Sequence, residues 1–436
     1  MKKIFTLILM LCIAFSCKNP DQVADEDMYC SAGTSVLTID DSNVSTTVKN
    51  RIYRPASGST ILHSSHPDFN NAGRTIIIPI ALTDVPFNTK VTNSVIDQVF
   101  FTTGVGSMKD YFYENSWGQF NMTKTAVSQL VTLNRTKASY VTGTTTDYTR
   151  NPLLFRDICQ NSSINWGTID RNNDRVITPD EALIVIIISD GGQGACRPNN
   201  FTITYNGQEY RIRNRFVTVD CLKASDPRDG IATFEYNYST MWHELAHGFF
   251  GLPDRYGEFA GRGTGGLYDI MDGHYDRIHM TVVDKMKIGW IMPRVLLPAA
   301  QRMLTGLRCY SFAPIESQPS AVVLYSEDSP NECFVIENRT HSGSARNFNE
   351  DMPSEGLAIW WLDLNTGDVR LIDASVLGSG SRLRPMEYPI PTGNALFHYK
   401  EGDSPTVPKL LRNQNDRQTF TLRAISPAGT TMSVEL

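Results

Sequence analysis

The 436-residue chain predicts an α/β fold: a mixed twisted sheet with one helix packed on it, followed by a β-rich C-terminal part. Three observations carry this. Two β-branched runs, Arg74 to Leu82 and Ala182 to Ser189, lack polar alternation and read as buried strands. Ser239 to His247 reads as a helix with two histidines four apart. Beyond Pro293 the texture changes to short strands separated by Gly, Pro, Ser and Asn clusters.

The elements follow in order. Residues 1–17 read as a signal peptide, with Lys2 and Lys3 ahead of an apolar stretch too short to span a membrane. The Ala14-Phe15-Ser16-Cys17 end resembles a bacterial lipobox, which would make Cys17 the lipidated N-terminus. The expectation is export, with a lipid anchor on the bacterial cell envelope in place of a transmembrane helix. Residues 18–72 are a tether and an N-terminal extension or pro-segment with weak strand signals. The main domain is placed at 73–292 and the β-rich part at 293–436. Net charge is −6 with no basic run, which argues against a nucleic-acid partner. Beyond the signal region Cys30, Cys159, Cys196, Cys221, Cys309 and Cys333 allow up to three disulfides in an exported protein. Cys30 has a second reading, as a thiolate capping the metal of a latent form.

After the first strand, Met108, Tyr111 and Phe112 fall at helical spacing; Gly118 ends that helix and a strand begins at Phe120. Asp170 to Glu181 has the oxygen-ligand spacing of a calcium loop, with Asp170, Asn172, Asp174 and Glu181 at positions 1, 3, 5 and 12. Val176 would add a carbonyl. Arg175 stands where such loops carry Gly, and the rival reading is a plain acidic turn. Val282 to Trp290 reads as a short helix ending at Gly289.

His243-Glu244-Leu245-Ala246-His247 is an H-E-x-x-H motif. One helix face aims both imidazoles at one ion, and Glu244 is near enough to reach a water there. That is the layout of a zinc hydrolase. Gly251 and Pro253 stop the helix, so the returning chain can bring Asp254 in as third ligand. Glu258, Asp272 and His274 are the substitutes for that role.

HELAHGFFGLPD with Tyr268-Asp269-Ile270-Met271 downstream resembles the M6 metallopeptidases, the immune inhibitor A family of metzincin-like zinc peptidases. Similar segments run from about Gly106 to Asp363 and include Glu337-Asn338-Arg339 and Gly356 to Asp363. The family usually spaces its third ligand ten positions after the first His; here Asp254 is eleven after His243. The resemblance implies a metzincin-like zinc peptidase domain and a Met-turn at Met271. It also implies zinc on His243, His247 and Asp254, and Glu244 as general base. Tyr275 either helps hold the oxyanion or only packs. Calcium is the second expected ion. The expected substrate is a polypeptide or glycoprotein; the rival is a catalytically weak peptidase-fold surface protein that binds peptides or glycans. Glu337 and Arg339 either form a buried ion pair or face solvent. Of Trp360 and Trp361, adjacent on a strand, at least one is core.

Overall fold

A computed structural model describes residues 41–53, 73–141, 147–190, 194–221, 238–256, 265–272, 277–297, 309–341, 348–349, 351–372, 409–412, 418–422 and 432–435. Cys17, Cys30, Glu258, His274 and Tyr275 lie outside them. No helix among the described residues is long and apolar enough to cross a membrane.

The first sheet has seven strands. They are β1 (Arg74–Leu82), β2 (Thr123–Val127), β3 (Val131–Leu133), β4 (Val176–Ile177), β5 (Leu183–Ile188), β6 (Ala195–Tyr205) and β7 (Gln208–Asp220). β1 pairs in parallel with β2, β3 and β5, and β7 in parallel with β5 and β4. β6 runs antiparallel along β7 from Tyr205↔Gln208 to Ala195↔Thr218. β5 and β4 share the other side of β7, so among the described residues β6 is an edge strand. Pro79 sits inside β1, where it cannot donate to a ladder. It falls between the stretch of β1 paired to β2 and the stretch paired to β3. The early strand starts at Thr123, not Phe120. Phe120 and Met122 are buried in the core, and the first ladder bond is Thr123 N to Gly73 O at 2.8 Å.

Both faces of this sheet are covered, which explains the absence of alternation in β1 and β5. Ile76, Ile78, Ile184 and Ile186 pack on one side with Leu154, Phe155 and Trp166. Ile77, Leu183, Val185 and Val217 pack on the other, against the helix Tyr238–Phe250. That helix lies close because Gly248 has no side chain: a Cβ there would sit 2.7 Å from Val217 and 2.8 Å from Leu183. Tyr111, from the helix Met108–Asn115, stacks on Trp242 with centroids 4.1 Å apart. Its hydroxyl donates to Ile278 O at 2.9 Å. Phe112 and Phe120 meet Phe249 and Phe250 edge-on.

The β-rich part contains a five-stranded sheet. Its strands are β8 (Arg294–Leu296), β10 (Ala321–Tyr325), β11 (Glu332–Arg339), β12 (Gly356–Asp363) and β13 (Val369–Leu371), in the order β13-β12-β11-β10-β8. The intervening β9 (Cys309–Phe312) pairs instead with Met432–Glu435. Val323, Val335, Ala358 and Trp360 belong to the same core as the 238–250 helix, so the two parts share one apolar interior. Trp361 packs on the opposite side of the sheet. Both tryptophans are therefore core, with Trp360 Nε1 donating to Glu337 and Trp361 Nε1 to Glu332, each at 2.7 Å.

Three further expectations are revised. In residues 41–53, the described part of the N-terminal extension, a helix, Thr46–Tyr53, stands where weak strand signals were read. Val48 and Ile52, four apart, set its inner face. Glu337 and Arg339 are both fully buried, which removes the solvent-facing reading, and Arg339 forms its buried ion pair with Glu316 at 3.7 Å. Glu337 accepts from Val282 N; Arg339 donates to Tyr268 O at 2.6 Å and His279 O at 3.0 Å. Among the described residues Cys159, Cys196, Cys221 and Cys333 are free, so the framework of three disulfides does not form. Cys159 packs on the sheet face away from the other three. Cys221 hydrogen-bonds Ser189 at 2.8 Å. Burial pushes the Cys196 and Cys221 thiols up to about 12, so both stay protonated.

Candidate metal centre

The site is built on one helix and the turn that follows it. His243 and His247, four apart, project from one face of Tyr238–Phe250. Gly251, with φ +65°, ends the helix, and its N–H donates to His247 O at 2.9 Å. The turn returns Asp254 to the imidazoles. Its Oδ1 lies 3.0 Å from Nε2 of both His243 and His247, and the two Nε2 atoms are 2.9 Å apart. Because the helix runs on through Phe250, the eleven-residue spacing still delivers the carboxylate.

The tautomers follow from the other ring nitrogens. His243 Nδ1 faces Ile270 O at 2.8 Å, and His247 Nδ1 faces Leu252 O. A carbonyl only accepts, so each Nδ1 carries the proton and each Nε2 turns a lone pair inward. Two lone pairs and a carboxylate oxygen thus converge with nothing donated between them. The arrangement is repulsive unless a cation, a metal or an added proton, sits among them. The donor set of two neutral imidazoles and one carboxylate suits zinc. Separations of 2.9–3.0 Å are within about 0.4 Å of the edge of a tetrahedron with roughly 2.0 Å bonds. Among the described residues this is the one group of three such ligands. Burial would raise the Asp254 pKa, but when an added proton sits among the three groups the charged imidazoles of His243 and His247 hold it well below the usual carboxylate range. Asp272 is committed elsewhere, accepting from Gly265 N at 2.8 Å and Gly266 N at 2.7 Å.

Glu244 is 8% exposed and lies beside this cluster. Burial raises its pKa, against the opposing pull of His247 and His243. The start of β6 covers it closely. A Cβ on Gly194 would stand 2.8 Å from Glu244 Cγ and 3.0 Å from Thr240, so only glycine fits. Met271 is fully buried in the turn that supports His243: its N–H donates to Asp269 Oδ1, and its carbonyl accepts from Arg255 N, each at 2.9 Å.

The 170–181 loop is folded on its own carboxylates. Asp170 accepts from Asp174 N at 3.1 Å and Arg175 N at 3.0 Å. Glu181 accepts from Arg171 N at 2.7 Å and Thr178 N at 3.1 Å, and Asn172 Nδ2 donates to Asp174 at 2.9 Å. Arg175 has φ +63°, the left-handed conformation that Gly normally supplies at this position. Sequence reasoning missed Gly194, Arg255, Asp269 and Asp284, whose roles depend on contacts between distant segments. No protein-family model matches the chain, and no curated protein matches it.

Proposed function

We propose that the protein is an exported zinc endopeptidase of the M6, metzincin-like kind, hydrolysing peptide bonds of protein or glycoprotein substrates and tethered through a lipid on Cys17. The observation that carries this reading is the convergence of His243, His247 and Asp254 beside the buried Glu244. Zinc held there would polarise the scissile carbonyl and acidify water. Glu244 takes a proton from the attacking water as the C–O bond forms and gives it to the amine as the C–N bond breaks. A carboxyl group whose pKa burial raises is a better proton carrier for both transfers than an exposed one. Among the described residues β6 pairs only with β7, so its other edge, beside Glu244, is a place where an extended peptide can lie. Tyr275 is assigned to the oxyanion in this proposal.

Metal analysis and a casein-cleavage assay on one preparation test the reading. We expect about one zinc per chain and cleavage that stops on chelation and returns with zinc. Zinc without cleavage of any polypeptide would leave a peptide- or glycan-binding protein of the same fold. Calcium at Asp170, Asn172, Asp174 and Glu181 is a subsidiary proposal, favoured by the left-handed Arg175. Millimolar calcium should raise the melting temperature of metal-stripped protein. No shift would identify the loop as a self-satisfied acidic turn.

A further inference from the structure

Arg255 follows the third ligand directly and is 3% exposed. Its guanidinium bonds Asp269 through one nitrogen and Asp284 through the other, and both carboxylates are fully buried. Asp284 belongs to the helix Val282–Ile288 and is held by Thr281 Oγ1 at 3.0 Å. Asp269 also receives Met271 N, and Arg255 N reaches Met271 O. One side chain therefore joins the ligand turn, the Met271 turn and a third element. Lys287, on that same helix, donates to Gly367 O at 3.0 Å in the turn between β12 and β13.

We propose that Arg255 is the positioning residue for the third metal ligand, fixing the Gly251–Tyr256 turn so that the Asp254 carboxylate meets both imidazoles. The inference rests on the zinc reading of the site. A turn that pivots on Gly251 in a left-handed conformation has freedom to misplace a carboxylate. A buried guanidinium bonded to two fixed carboxylates removes that freedom, because its planar fork accepts few geometries. Lysine keeps the charge but cannot bridge both partners in the same plane.

The test uses the full chain stripped of metal, titrated with zinc and, separately, with cobalt(II), whose visible absorption reports its ligands. The variants are Arg255→Lys and Asp284→Asn, with Asp254→Ala as reference. Ile359→Val, in the C-terminal sheet, controls for simple destabilisation. Zinc affinity should fall about tenfold to a hundredfold in both clamp variants. Their cobalt spectra should move toward that of Asp254→Ala, while Ile359→Val keeps parental affinity and spectrum. If Arg255→Lys does not fold, the shape-conserving Asp284→Asn carries the comparison. A parental cobalt spectrum in the folded variants overturns the inference, whether or not stability has dropped. A parent that binds neither metal removes the zinc reading and this inference with it; a parent that binds while the variants match it removes the inference alone.

Discussion

Glu244→Gln should retain zinc and fold like the parent, yet cleave peptide at least about a hundredfold more slowly. The amide fills the same space between the helix and Gly194, so packing is conserved. What it loses is the ability to take a proton. Glu244 stands one residue from His243 and points about 100° away on the helix, which lets it flank the metal without ligating it. Loss of such a base typically slows a step by about a hundredfold to ten-thousandfold. Zinc content and turnover measured together separate the possibilities. Near-parental turnover would sink the proton-transfer role. Loss of zinc with activity would make Glu244 structural.

Asp254→Ala should abolish zinc-dependent stabilisation, whereas Asp272→Ala should leave it intact. A ligand that binds only the native state adds about 2.7 kcal/mol at a hundredfold excess over its Kd. For a chain of this size that is on the order of several degrees in melting temperature. His243 and His247 alone leave two ligands, too few to hold zinc tightly. Asp272 is already bonded to two backbone amides, so its removal should cost local stability but not metal. Melting with and without zinc reads both variants. Full zinc stabilisation in Asp254→Ala would shift the third ligand elsewhere.

The two histidines and Glu244 were legible because a helix turns sequence spacing directly into a common face. Asp254 was legible through Gly251 and Pro253, which mark where the chain must turn. The Arg255 clamp was not, since its partners lie 14 and 29 residues away and carry no periodic signal. The two-sided burial of β1 and β5 could be read from their unbroken apolar runs. The same argument applied to Trp360 and Trp361 left one undecided, because alternation says nothing about a strand covered on both faces. The Thr46–Tyr53 helix was missed because eight mostly polar residues hold together through tertiary contacts, not propensity. The free cysteines show that an even count permits bridges without requiring them; here the thiols fill core positions.

Trp360 packs into the same interior as the 238–250 helix, and its ring comes within about 3 Å of where a side chain on Gly265 would begin. Together with Arg339 on Tyr268 and Lys287 on Gly367, this makes the β-rich half part of the foundation of the metal turn. For descent, such a protein cannot trade its C-terminal half for another module and keep the site. The two halves must be inherited as one unit, and substitutions on the inner face of β11 or β12, at Val335, Ala358 or Trp360, will be filtered by what they do to a carboxylate in a distant turn. Under the proposed peptidase reading, divergence of substrate preference has its freest ground at the exposed β6 positions Pro198, Asn200, Thr202 and Thr204, away from the shared interior and the clamp.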